Sequence, residues 1–241
     1  MADNKAEKKR AAKKPSTKKQ GDKFTRYLVI GMILFVVIAG FGAALAKNHT
    51  NSHVALPSAV SKSDGYGIQI NPTAKVKVDM YEDFRCPNCR NFEAQNNTYI
   101  DGLVRAGKID AVYHPMSFIA PDSILTAAAS ACASDQGKFL EMHTALYVNQ
   151  PTTAQSAENS AYWTNAQLIL LGHSVGIASK TFDTCINSGK YINWTRNIEA
   201  DAAAKNINAT PTVLVNGKTL PLATDYNAQA FTKVLTDLGV K

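Results

Sequence analysis

Lys75-Val76-Lys77-Val78-Asp79-Met80-Tyr81, then Glu82-Asp83-Phe84-Arg85, then Cys86-Pro87-Asn88-Cys89-Arg90-Asn91-Phe92-Glu93, is the stretch on which the fold turns. Its first seven residues alternate with period two and are rich in β-branched and aromatic types, so they read as a strand. The residues after Pro87 continue as a helix, with Pro87 at the first helical position, where its missing N–H costs nothing. Cys86 then stands at a helix N-terminus, where free amides and the helix dipole favour the thiolate. Cys89, one turn in, is placed to resolve a mixed disulfide and is expected to be the more buried thiol. Two thiols at this spacing cycle between dithiol and disulfide, although half a zinc knuckle has the same spacing.

Working outward, the compartment follows from the N-terminus. Residues 1–26 are dominated by lysine and too poor in apolar residues to fold, and they account for much of the formal net charge of +7. Residues 27–46 form an uncharged apolar run of about 20 residues, enough for one helix across a membrane. Lysine on its N-terminal side places that end in the cytoplasm and the rest of the chain outside. A retained single-pass anchor is the favoured reading. Cleavage after Ala44-Leu45-Ala46, which releases a secreted protein, is the alternative. Because the basic charge belongs to the tail, no nucleic-acid partner is expected. Residues 47–67 are polar and turn-rich and read as a linker, leaving 68–241 as one domain with a proper core.

Within that domain the first helix runs to about Arg105, Gly107 ends it, and Ile109 to Ile119 reads as a strand with Pro115 at an edge or bulge. This βαβ unit predicts parallel strands joined by a right-handed crossover. A long helical stretch follows. It includes an Ala-rich segment broken near Gly137, a helical stripe through Phe139, Met142, Leu146 and Tyr147, a capping box at Thr164-Asn165-Ala166-Gln167, and a helix from Lys180 to Asn187. A further helix is expected over 195–206. Then Ala209-Thr210-Pro211-Thr212-Val213-Leu214-Val215 is a strand, Asn216-Gly217 a hairpin turn, and residues 227–238 a terminal helix.

Two distant boxes agree. Tyr81-Glu82-Asp83-Phe84-Arg85-Cys86-Pro87-Asn88-Cys89 and Ala209-Thr210-Pro211-Thr212-Val213-Leu214-Val215-Asn216-Gly217 together resemble the DsbA-like branch of the thioredoxin superfamily, especially its membrane-tethered Gram-positive oxidoreductases. The resemblance spans about residues 65–241. It implies an α/β thioredoxin fold with a helical insertion over about 121–193, preceded by a single N-terminal transmembrane helix. It implies Cys86 and Cys89 as the catalytic pair and Thr210-Pro211, joined by a cis bond, as the substrate-binding wall. Together with the oxidising compartment, it implies a structural disulfide between Cys132 and Cys185, the alternative being two separate buried thiols. Many members carry a buried glutamate six residues before the first cysteine. Met80 stands there in this chain, so the neighbouring acids Asp79, Glu82 and Asp83 are the candidates for proton transfer, Asp83 first and Glu82 after it, against the plainer reading of each as a turn-forming or solvent-facing acid.

The implied activity is that of an extracytoplasmic thiol:disulfide oxidoreductase introducing disulfides into exported proteins. It needs no cofactor beyond its own disulfide and no metal, works as a monomer on unfolded exported proteins with cysteine thiols, and is reoxidised by a DsbB- or VKOR-like membrane protein. A tethered reductase or isomerase keeps the same fold with the electron flow reversed. A metal-binding or metal-delivery module is the alternative of another class, weakened because Cys132 and Cys185 lack a second close pair spacing. His114 and His143 read as packing histidines, and Trp163 and Trp194 as core of the helical insertion.

Overall fold

The computed structural model describes residues 54–151, 161–221 and 227–240. The basic tail and the apolar run over 27–46 lie outside the described residues. Among the described residues no helix is long and apolar enough to cross a membrane.

The strand that opens the motif is β3, Lys77–Glu82, and it lies at the centre of the sheet. On one side it pairs in parallel with β4, Asp110–Pro115, from Lys77 opposite Asp110 to Glu82 opposite Pro115. On the other it pairs antiparallel with β5, Thr212–Val215. With β1 at Val60–Ser61, β2 at Gly67–Ile70 and β6 at Lys218–Thr219, the sheet order is β1-β2-β4-β3-β5-β6. A central strand is covered on both faces, so even the polar Asp79 and Glu82 of β3 are buried.

Helix α1, Pro87–Arg105, crosses from β3 to β4 and ends in a Schellman motif. There Gly107 takes φ +68°, its N–H donates to Val104 O at 3.0 Å, and Lys108 N–H donates to Leu103 O at 2.9 Å. Pro115 sits neither at a sheet edge nor in a bulge, because β4 is interior. It lies past the last β2 pairing, Ile68 with Tyr113, so its missing N–H falls where β2 has already ended.

The compact unit begins at Val54, and the last residues of the expected linker therefore enter the fold. Val60–Ser61 pairs antiparallel with β2, and Val54, Leu56 and Tyr66 pack against the core. Gly67 permits the close approach of β2 to β4: a Cβ there would lie 2.5 Å from Val112 Cγ1 and 2.8 Å from His114 Cε1.

Between β4 and β5 run α2 (Ser123–Ser134), α3 (Phe139–Val148), α4 (Asn165–Ser174), α5 (Lys180–Asn187) and α6 (Ile192–Ala204). The capping box holds: Gln167 N–H donates to Thr164 Oγ1 at 3.3 Å and Thr164 N–H to Gln167 Oε1 at 2.9 Å. Helix α6 starts three residues before the expected Thr195, whose hydroxyl instead donates back to Ile192 O at 2.8 Å. Cys132 on α2 and Cys185 on α5 form a disulfide, buried on both sides. Trp163 and Trp194 are buried, the latter donating its indole N–H to Tyr66 O at 3.0 Å. Beyond β5, Asn216 and Gly217 both take positive φ, as a two-residue hairpin turn requires. The terminal helix α7, Ala228–Asp237, packs Phe231 edge-on against Phe92 of α1.

Candidate active site

Cys86 is the N-cap residue of α1, with extended backbone, and the first turn carries no acidic side chain to compete for the amide end. Its position is fixed by its own main chain. Cys86 N–H donates to Asp83 O at 2.9 Å, and its carbonyl accepts from Arg90 N–H at 3.2 Å and from Gln150 Nε2 at 3.0 Å. Gln150 also donates to Phe84 O at 2.8 Å, so the end of α3 braces the loop that carries the thiol. Cys86 and Cys89 are both free thiols; Cys86 retains 4% exposure and Cys89 none.

The two thiols have opposite tendencies. The hydrogen bond from Cys89 lowers the Cys86 pKa to about 6, assisted by Thr210 and by the amides of Cys89 and Asn88 at the helix end. Cys89 is pushed well above its ordinary value, first by burial, then by its proton being held toward Cys86 and by the neighbouring Glu82 carboxyl. Near neutral pH the pair is therefore one thiolate and one thiol. That is an attacking group beside a resolving group that must lose its proton before it acts.

Thr210 and Pro211 reach this thiol because β5 runs antiparallel beside β3, which sets the loop preceding β5 against the C-terminal end of β3. The Thr210-Pro211 bond is cis. The Cys86 thiol donates to Thr210 O at 3.3 Å, Pro211 is buried, and Thr210 is half-buried.

Asp83, the first candidate for proton transfer, has another occupation. Its carboxylate accepts Arg85 N–H at 2.9 Å, Phe118 and Ile119 N–H at 3.0 Å each, and Ser123 Oγ at 2.8 Å. It ties the active-site loop to the loop after β4 and to the start of α2. Asp122 does similar work: it pairs with the buried Arg85 guanidinium and accepts the amides of Tyr162 at 2.9 Å and Trp163 at 2.6 Å. Toward Cys89, Asp83 acts through its backbone amide, whereas Glu82 acts through its carboxyl.

Glu82 is 4% exposed, and burial raises its pKa to about 8. It lies two residues beyond Met80 on the same face of β3, so an acid reaches the space beneath the thiols from a neighbouring register position. Sequence reasoning missed what faces it. Glu93 of α1 and His143 of α3 are buried alongside, with His143 Nε2 3.4 Å from Glu82 Oε2 and His143 Nδ1 3.7 Å from Glu93 Oε2. Burial, followed by the Glu82 charge, holds Glu93 well above the usual carboxylate range, and burial holds His143 below the usual imidazole value. A histidine set inside the apolar stripe of α3 was the available signal. His114, by contrast, packs: it stacks on Tyr81 at 3.9 Å and meets Asp79 Oδ1 at 3.1 Å. Among the described residues Glu82, Glu93 and His143 are the set able to offer a metal three ligand atoms, all within 4.8 Å of one another.

A fold and a site of this kind, with a vicinal dithiol capping the helix that follows a central strand and a cis-proline loop against the first thiol, define a thioredoxin-type protein. The chain belongs to the thioredoxin family, whose model, described as Thioredoxin, matches residues 66–236, and it falls on the DsbA-like branch. It is similar to the reduced disulfide bond oxidoreductase DsbG from Mycobacterium tuberculosis, at 32% identity and a TM-score of 0.57, over 77% of this chain and 87% of that one. It is also similar to reduced DsbA from Mycobacterium tuberculosis, at 31% identity and a TM-score of 0.56, over 76% and 90%. The thiol-disulfide oxidoreductase MdbA from Actinomyces oris shares the fold, at 21% identity and a TM-score of 0.65, over 77% and 91%. Among curated proteins, Na(+)/H(+) antiporter NhaA 1 of Mycobacterium sp. (strain KMS) is 26% identical over 155 residues. That match takes in 63% of this chain and spans only 23% of the antiporter's length.

Proposed function

We propose that this protein is an extracytoplasmic thiol:disulfide oxidoreductase that introduces disulfides into exported proteins through Cys86 and Cys89. The observation that carries the reading is the Cys86 sulfur at the N-terminus of α1, facing the Cys89 thiol and the amides of Cys89 and Asn88, an environment that favours its thiolate. Stabilising that thiolate stabilises the reduced protein and makes Cys86 a good leaving group, so the disulfide form is oxidising. DsbA is a strong oxidant for the same reason, its reduced form being stabilised. The 31–32% identical DsbA and DsbG structures support the same chemistry.

A substrate thiolate attacks Sγ of Cys86, and the electron pair of the broken S–S bond leaves on Cys89. A second substrate thiolate then attacks the substrate sulfur of the mixed disulfide, releasing oxidised substrate and the Cys86 thiolate. Thr210 and Pro211 form the wall along which the substrate segment lies. Glu82 is the acid that exchanges the Cys89 proton, being the carboxyl that acts on that thiol, while Asp83 is held by four donors. Anchoring by residues 27–46 places the domain beside a DsbB- or VKOR-like membrane protein that takes the electrons.

Thiol trapping of Cys86 and Cys89 in intact cells tests the direction of electron flow. Mainly oxidised cysteines are expected, and mainly reduced cysteines refute the oxidase in favour of a reductase.

A further inference from the structure

We propose that His143 and Glu93 form a relay that carries the proton of Cys89 onward from Glu82 to the open groove between α1 and α3. The inference rests on the oxidoreductase reading above and adds two residues and an exit to it.

Four buried atoms in this cluster, Glu82 Oε1 and Oε2, Glu93 Oε1 and His143 Nδ1, accept no hydrogen bond from an N–H or O–H donor, and the Glu82 and Glu93 carboxyls lie close enough to share a proton between them. Polar groups left so in a protein interior are costly and call for a reason. The imidazole supplies one by its placement, since its two nitrogens face different carboxyls, Nε2 toward Glu82 at 3.4 Å and Nδ1 toward Glu93 at 3.7 Å. A shift of a few tenths of an ångström closes both gaps to hydrogen bonds. A single metal ion takes only one imidazole nitrogen, so opposite nitrogens facing opposite carboxyls suit a proton path better than an ion.

The surroundings separate an inner end from an outer end. Phe84, Tyr113, Phe139 and Tyr147 enclose the imidazole, with ring centroids 5.0 to 5.6 Å away. On the inner side Glu82 and His143 border a cavity of ≈10 Å³, room for about one water. On the outer side Glu93 lines a groove of ≈290 Å³ together with Arg90, Asn97, Thr144 and Val148. The remaining titratable groups acting on the cluster are Cys86 and Cys89 at the end of α1, Asp101 further along α1, Tyr113 of β4 and Tyr147 of α3.

The steps balance without a further reactant. When the Cys86–Cys89 bond breaks, the Cys89 thiolate takes the proton of the Glu82 carboxyl. Glu82 regains one from His143 Nε2–H, His143 accepts one at Nδ1 from Glu93, and Glu93 is reprotonated from water in the groove. Reoxidation runs the same path outward: Cys89 loses its proton along it and attacks the mixed disulfide at Cys86.

The test follows the reduced full chain with glutathione disulfide under single-turnover conditions, which separates formation of the Cys86–glutathione adduct from its resolution by Cys89. Glu93→Gln and His143→Gln are expected to leave adduct formation unchanged and to slow resolution about tenfold or more. Imidazole in the buffer is expected to restore part of the rate in Glu93→Gln, where the groove admits it; a purely structural defect is not rescued. Unchanged resolution in both variants overturns the relay and leaves the oxidoreductase intact. Failure of wild-type Cys86 to form the adduct overturns the oxidoreductase reading itself. A stoichiometric divalent metal in the purified protein, lost in Glu93→Gln, overturns the relay in favour of a metal site. If either variant fails to fold, Thr144→Leu narrows the groove mouth with every titrating group intact; slowed resolution supports the relay, and an unchanged rate overturns it.

Discussion

Replacing Asp83 by alanine separates a scaffold from a proton acceptor. The carboxylate gathers four donors, two deep and two nearer the surface. The Arg85 amide and the Ser123 hydroxyl belong to buried residues, so stranding them costs about 1.5 kcal/mol each. The Phe118 and Ile119 amides make part-buried hydrogen bonds at the more exposed end of the carboxylate, so each of these costs about 0.5 kcal/mol. The expected loss is about 4 kcal/mol, which at a urea slope of about 2 kcal/mol/M moves the unfolding midpoint down by about 2 M. Asp83→Asn keeps one acceptor oxygen and is expected to lose roughly half as much. In the glutathione disulfide assay, folded Asp83→Asn is expected to resolve the mixed disulfide at the wild-type rate. Stability within about 1 kcal/mol of wild type combined with slowed resolution refutes this reasoning and makes Asp83 the proton acceptor after all.

Absorbance of the thiolate near 240 nm is expected to show Cys86 titrating at about 6, and Cys89→Ala, which removes the hydrogen bond that contributes most to the lowering, is expected to raise that value; an unchanged value refutes the assignment. Glu82 carries a sign that denaturation at several pH values reads directly. Burial holds its folded pKa at about 8, above the ordinary glutamate value of 4.5, so the native state binds the extra proton and stability falls as pH rises from about 4.5 to about 8. Glu82→Gln is expected to flatten this slope, and an unchanged slope refutes burial of the acid. Joint replacement of Cys132 and Cys185 by alanine opens a link of sequence separation 53, and loop entropy puts the loss at about 4 kcal/mol, measured by urea unfolding. Asp122→Ala leaves the Arg85 guanidinium buried without its carboxylate and is expected to cost about 3–5 kcal/mol by the same measurement.

The parts of the fold written in local chemistry were legible. Alternation gave β3, Gly107 gave the end of α1, Thr164 and Gln167 gave the start of α4, and Asn216-Gly217 gave the hairpin. The paired boxes around Cys86 and Pro211 are local as well, and the antiparallel pairing of β3 with β5 brings them together. What stayed hidden depends on partners far away in the chain. Strands β1 and β2 are two and four residues long, and polar turns interrupt them, so nothing in their own composition separates them from a linker. Thr195 looked like a helix start, yet Tyr191 begins α6 with no side-chain cap to advertise it. Glu82 sits in a run that reads as a turn. Its burial is imposed by α1 and by α3, some 60 residues later, and no periodicity within β3 reports it.

The bond between Cys132 and Cys185 has a consequence for how the protein comes into being. Both sulfurs are almost wholly buried in the folded chain, which favours installing the link while the chain is still open. If the proposed activity is right, a newly exported copy is then a client of copies that matured before it. Production of working enzyme becomes self-reinforcing. A cell diluted of mature protein would recover with a lag, and a small seed of finished molecules would shorten it.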